Sequence, residues 1–128
     1  MNFIPYGRQS ISSDDVQSVI NVLESDFLTQ GPVVPRFEAS VASFVGAREA
    51  VAVNSATSAL HVACLALDLG HGDILWTSPI SFVASSNCGL YCYASIDFVD
   101  IDLDTGLISI DALHEKLISA RKVNRLPK

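Results

Sequence analysis

Basic residues are scarce in this sequence. Eight Lys and Arg stand against fourteen Asp and Glu, giving a net charge of −6 and an isoelectric point near 4.7. Nucleic acids and anionic membrane surfaces are bound through clustered cations, so neither is expected as a partner. The nearest approach to a cluster, Arg121, Lys122, Arg125 and Lys128, lies at the C-terminal end and reads as a solvated helix end. Cysteine is sparse as well. There are three, Cys64, Cys88 and Cys92, and Pro5, Gly7 and Arg8 interrupt any apolar leader that could follow Met1. An odd number without a leader points to reduced, buried thiols and to the cytoplasm. Cys88 and Cys92 can share one helix face and His61 and Cys64 another, but no spacing unites them as a zinc set, so no metal is expected. The longest apolar runs, around residues 60–69, are too short and mixed to cross a bilayer.

Two glycine fingerprints are missing. There is no G-x-G-x-x-G after a strand and no G-x-x-x-x-G-K-[ST], which excludes the dinucleotide fold signature and the P-loop. Asp100, Asp102 and Asp104 alternate as in a calcium loop, yet Ile101 and Leu103 fill the gaps and Gly106 falls at the seventh place instead of the sixth. That run reads as a strand end and turn.

What the chain does have is apolar surface in excess. At 128 residues it makes one modest domain, and 49% apolar against 17% charged residues is more than a small self-sufficient domain needs. Part of that surface is expected to meet another segment or subunit. The organising stretch is AVAVNSATSALHVA, residues 50–63. Its AVAV half alternates as a short buried strand, and SATSALHVACLAL continues as an apolar helix, expected to be buried nearly all round. The joining turn holds Asn54, Ser55, Ala56, Thr57 and Ser58, all small or polar, so the first helical N–H groups can approach an anion such as a phosphate. The plainer alternative is ordinary capping by Ser55 or Thr57.

Around this stretch the elements alternate. An extended arm over residues 1–10 leads to a helix opened by Ser12 and Asp15 as a capping box, with Val16, Val19, Ile20 and Leu23 as its apolar stripe. A loop through Gly31 and Pro32 precedes a second helix, about 34–45, with Gly46 as its left-handed end. Strands then follow at 74–77 and 96–100, with helices at about 82–93 and from Ser109 to about 120. Strand and helix alternating three times imply an α/β fold: three layers, a mostly parallel sheet with helices on both faces, and a ligand crevice at the carboxyl ends of the strands. Phe82 falls in such an end loop, where it is either a stacking platform for a planar ring or a core residue. His61 reads as a core or interface histidine.

The segments IPYGRQSIS, DFLTQGP, FEASVASFVGA, VAVNSATSALH and TSPISFVASSN, in this order, resemble the start of the pyridoxal-phosphate-dependent sugar aminotransferases of the DegT/DnrJ/EryC1/StrS family. Within it the likeness is closest to the UDP-4-keto-sugar transaminases of pseudaminic acid biosynthesis. The resemblance implies that Ala56 and Thr57 hold the cofactor phosphate and Phe82 stacks on the pyridine ring. It also implies that Tyr6, Asp26, Phe27, Leu28 and Thr29 line the sugar-nucleotide site, with Ala56 close to both ligands. Residues 1–32 would then be an arm, helix and pocket loop, and 33–128 a partial cofactor-binding large domain.

The implied reaction moves an amino group from an amino acid, glutamate, to C4 of a UDP-linked keto-sugar, by a ping-pong course in a cytoplasmic homodimer. Family members are longer, and the Schiff-base lysine and the aspartate facing the pyridine nitrogen belong to the further part. None of Lys116, Lys122 and Lys128 stands in the family's lysine motif, so this chain holds no catalytic residue of its own and is expected to be inactive alone. Two other readings stay open: a non-catalytic phosphate-binding module, and a dehydratase of the same family in which histidine replaces the lysine.

Overall fold

The structure, a computed structural model, describes residues 4–128, which divide into two compact units at the Ala52–Val53 junction. The first unit is helical. Helix α1 (Ser13–Leu23) opens with the expected box: Ser12 Oγ accepts from Asp15 N at 3.2 Å, and Asp15 Oδ2 accepts from Ser12 N at 2.8 Å. Its stripe of Val16, Val19, Ile20 and Leu23 remains exposed, and α1 buries no residue. Helix α2 (Val33–Val45) ends at Gly46, whose φ of 68° lets its N–H turn back to Ala42 and Ser43 carbonyls, as the sequence predicts. Glu38 on α2 accepts from the Ala52 N–H at 2.8 Å and so ties down the end of the unit.

The second unit alternates helix and strand: α3 (Ala56–Ala66), β1 (Ile74–Thr77), α4 (Ala84–Tyr91), β2 (Ser95–Phe98) and α5 (Ile110–Lys122). β1 and β2 are parallel, with Ile74 opposite Ser95 and Thr77 opposite Phe98. Alternate residues face opposite ways, and each face meets a helix. Leu75 and Ile96 crowd Gly89 of α4, while on the other face Lys116 of α5 lies 2.7 Å from Asp97 Oδ2 and 5.1 Å above the Trp76 ring. This is the three-layer α/β arrangement expected from the alternation. A core of Cys64, Leu69, Cys88, Cys92 and Ala94 joins α3 to α4.

Two expectations are corrected. Residues 50–53 form no strand: the sheet among the described residues has two strands, and Val51 and Val53 are 76% and 40% exposed. An extended segment becomes a strand only by exchanging backbone hydrogen bonds with a neighbour, and no described segment exchanges them with this one. Nor is α3 buried nearly all round. Only Cys64 is buried, whereas Leu60, Val62, Leu65 and Leu67 are exposed, because α4 covers a single side of it. The acidic run, by contrast, forms the turn read from sequence: Asp102 Oδ1 accepts from Asp104 N, Thr105 N and Thr105 Oγ1, closed by an isolated bridge between Ile101 and Ile108.

Four carboxylates are held below the usual range. The causes are the Lys116 ammonium for Asp97, the Gly70 N–H and then Lys128 for Asp73, the Thr105 N–H for Asp102 and the Ser12 N–H for Asp15. A carboxyl depressed in the folded state contributes stability above its unfolded pKa of about 4 and loses it as pH falls through the folded value. Urea midpoints are therefore expected to hold level from pH 7 to about 5 and to drop below about 4. Equal midpoints at pH 7 and pH 3 would contradict this.

Candidate functional site

The carboxyl ends of β1 and β2 open on a hollow of about 230 Å³. Thr77, Ser78, Phe82, Ser85 and Phe98 line it, so the chain after β1 supplies small hydroxyls and an aromatic at one place. Ser78 Oγ accepts from Ile80 N at 3.3 Å, and the Ser81 and Ser85 hydroxyls meet at 2.9 Å, which fixes the loop leading into α4. Phe82 is 75% exposed, so it is not a core residue. It presents an apolar ring at the rim, where a planar ligand gains stacking area without needing hydrogen bonds.

The turn into α3 is capped by Ser55, with Thr57 inside the helix. The extended backbone of Ser55 (φ −162°, ψ 158°) lets its Oγ accept from Ser58 N at 3.2 Å, while Asn54 Oδ1 accepts from the Ser58 hydroxyl at 2.7 Å. These bonds leave the Ala56 and Thr57 N–H groups, the first two of the helix, with no acceptor among the described residues. α1 and α5 carry acidic residues in their first turns, Asp14 and Asp15 in one and Asp111 in the other. α3 carries none, so the positive end of its dipole is not neutralised by its own side chains. Two free donors, small side chains and an uncompensated dipole suit a phosphate. The donor set thus fits the phosphate of a cofactor such as pyridoxal phosphate.

The residues expected on the sugar side belong to the first unit. Asp26 and Phe27 line a hollow of about 390 Å³ beside Asn21, Pro32 and Arg36. Ser25 Oγ donates to Val22 O at 2.7 Å and so holds the chain as it leaves α1. Leu28 and Thr29 follow in an exposed bend that ends at Gln30, in the left-handed region at φ 53°. Gly31 then passes so close that a Cβ there would lie 2.7 Å from Phe27 Cβ, which leaves only glycine room. Tyr6 stands fully exposed on the arm. Nothing in the sequence around Arg36 marks it; its place in the lining of this hollow is legible only in the structure.

A parallel α/β unit with two unpaired N–H groups at a helix start and an exposed aromatic at the strand ends is of the class that can seat a phosphate and a planar ring. The family model of the DegT/DnrJ/EryC1/StrS aminotransferases matches residues 9–123, and the chain belongs to that family. A Bacillus subtilis relative, spore coat polysaccharide biosynthesis protein SpsC, is 43% identical over 104 residues, 81% of this chain and 27% of the relative. The UDP-4-amino-4,6-dideoxy-N-acetyl-beta-L-altrosamine transaminase of Campylobacter jejuni is 35% identical over 120 residues, 94% of this chain and 30% of that protein. Among solved structures, a sugar aminotransferase candidate from Streptococcus pneumoniae in its PLP form superposes with a TM-score of 0.82 at 28% identity, covering 88% of this chain and 29% of that one. The GDP-4-keto-6-deoxy-D-mannose-3-dehydratase of Escherichia coli, with bound hydrated PLP, gives 0.80 at 26% identity, covering 87% and 30%. The chain spans 27–31% of the length of the curated relatives it matches. No helix among the described residues is long and apolar enough to cross a membrane.

Proposed function

We propose that this chain forms the cofactor-phosphate turn, the ring-stacking platform and part of the sugar-nucleotide site of a pyridoxal-phosphate-dependent aminotransferase. The enzyme transfers an amino group from glutamate to C4 of a UDP-4-keto-6-deoxy-N-acetyl sugar for surface-glycan synthesis, as a cytoplasmic homodimer. The observation that carries the reading is the acid-free, Ser55-capped start of α3, whose Ala56 and Thr57 N–H groups have no acceptor among the described residues. When bound, the cofactor supplies an electron sink that lets an amino group leave one carbon and join another. The residues here hold and orient it: Ala56 and Thr57 through the phosphate, Phe82 through the ring face. Tyr6, Asp26, Phe27, Leu28 and Thr29 take the nucleotide-sugar, with residues 1–32 as arm and pocket loop and residues 33–128 as part of the cofactor-binding large domain. The Campylobacter relative's substrate type supports the sugar assignment.

The amine that must bind the cofactor covalently is not among this chain's lysines. Lys116 is engaged by Asp97 and the Phe98 carbonyl, Lys128 by Asp73 and the Asp68 carbonyl, and Lys122 lies exposed in the last turn of α5. The purified chain is therefore expected to show no 4-amino transfer, and measurable turnover would sink that claim. The matching test exchanges residues 9–123 into the Campylobacter transaminase. The chimera is expected to load pyridoxal phosphate and aminate its keto-sugar. A chimera that loads the cofactor and does not transfer overturns the substrate assignment. The dehydratase neighbour supports a second reading, with loss of the C3 hydroxyl in place of amination; formation of a 3-deoxy product in a chimera with that enzyme would favour it.

A further inference from the structure

The two strands of the sheet differ in character. β1 is ILWT and half-buried throughout, whereas β2 is SIDF, with Ser95, Asp97 and Phe98 exposed. An apolar strand covered on both faces, by α4 at Leu75 and by α5 at Trp76, suits the interior of a parallel sheet, and a short polar strand suits its margin. Yet β1 has a single strand neighbour among the described residues. We propose that the other edge of β1 takes a third strand, parallel to it, from the polypeptide beyond α5 in the longer enzyme, so that β1 lies between that strand and β2. The inference rests on strand geometry and not on the proposed activity.

Backbone pairing distinguishes the two edges. The Asp73 and Thr77 carbonyls accept from Ser95 N at 2.9 Å and Val99 N at 3.0 Å, so residues 73, 75 and 77 turn their backbone groups to β2 while Ile74 and Trp76 turn theirs away. The Ile74 carbonyl accepts from Lys128 N at 3.1 Å, which lays backbone from beyond α5 along this edge. The Trp76 N–H and C=O have no partner among the described residues. The outer edge of β2 is closed instead. Phe98 N donates to Asp97 Oδ1 at 2.8 Å and Phe98 O accepts from Lys116 Nζ, so side chains satisfy the groups that a further strand would need there.

Handedness points to the same side. α4 joins β1 to β2 across one face of the sheet, and α5 leaves β2 across the opposite face. Crossovers between parallel strands are right-handed, so a helix on the opposite face carries the chain back in the opposite direction, past β1 and not beyond β2. The curated relatives, of which this chain spans 27–31%, have the length to supply such a strand. Lying parallel to β1, it brings its carboxyl end beside Thr77 and so to the hollow that Ser78 and Phe82 line.

The test reads amide hydrogen exchange, by mass spectrometry at single-residue resolution, in the Campylobacter transaminase carrying residues 9–123 of this chain and in the 128-residue chain. The Leu75 and Thr77 N–H groups face β2, so their protection reports a formed sheet in either protein. The Trp76 N–H is expected to exchange near its unstructured rate in the 128-residue chain and roughly 100-fold more slowly in the chimera. Unprotected Trp76 in a chimera whose Leu75 and Thr77 are protected overturns the proposal. So does new protection at Ile96, on the outer edge of β2, without protection at Trp76. Protection of Trp76 in the 128-residue chain that grows with its concentration assigns the edge to a second copy and likewise overturns it. If the Campylobacter chimera does not fold, the same exchange of residues into the Bacillus relative, 43% identical, provides the measurement.

Discussion

Replacing Ala56 by aspartate is expected to abolish phosphate binding at the α3 turn while leaving the helix formed. Ala56 is the first residue of α3, one position after the Ser55 cap. A carboxylate in a first helical turn is favourable to the helix itself, as Asp14 and Asp111 illustrate in α1 and α5. The same carboxylate occupies the space that a phosphate would take and repels it. Two unit charges about 4 Å apart interact by about 4 kcal/mol at an effective dielectric near 20. A loss of roughly 100-fold or more in affinity follows, since each 1.4 kcal/mol is a factor of about ten. Pyridoxamine phosphate titrated into the chain, and pyridoxal phosphate loading of the Campylobacter chimera, are the readouts. Ala56→Ser, small and neutral, is expected to behave as the parent in both. If the aspartate variant keeps its helical circular dichroism and binds within threefold of the parent, the phosphate is held elsewhere.

The parts of the fold legible in the sequence are those whose causes are local. The Ser12–Asp15 box, the Gly46 end of α2 and the Ser55 and Ser109 caps each depend on residues within a few positions, and each is present in the structure. Residues 50–53 fail for the opposite reason. Their alternation states that they suit a buried strand, yet strand formation depends on a partner far away in sequence, and none lies among the described residues. The exposure of Leu60, Val62 and Leu65 on α3 has the same origin: an all-apolar helix shows that it is to be covered, and only one side finds its cover here.

The site divides along similar lines. The Asn54–Ser58 turn announces itself through composition, because small residues at a strand-to-helix join have a direct backbone consequence. Phe82 could be read two ways from sequence, and what the structure adds is its exposure at the rim of the strand-end hollow. Arg36 is one turn into α2 with no motif about it, and it lines the same hollow as Asp26 only once the loop through Gly31 has folded. Likewise Cys88 with Cys92 and His61 with Cys64 read as separate helix-face pairs, and the packing of α3 on α4 brings the three cysteines into one cluster.

The seat of α4 on the sheet rests on Gly89, and Gly89→Val is expected to cost the second unit about 3 kcal/mol or more, a large fraction of a small domain's stability. Gly89 is buried in α4 against the sheet, where an added Cβ would lie 2.6 Å from Ile96 Cδ1 and 3.2 Å from Leu75 Cβ. Ile96 Cδ1 ends a flexible side chain and can rotate aside. Leu75 Cβ is fixed to the β1 backbone, so a second contact remains that only a shift of α4 relieves. Alanine at this position gains about 1 kcal/mol of helix propensity over glycine, against an overpacking cost of about 1–3 kcal/mol. Valine adds two further methyl groups to the same contact and has a poorer helix propensity than alanine. Urea unfolding of the chain, followed by the near-ultraviolet signal of Trp76, is expected to order the stabilities as Gly, then Ala, then Val. Propensity acting alone would place alanine above glycine. An alanine variant more stable than the parent by the full propensity gain would therefore show that α4 does not approach β1 and β2 this closely.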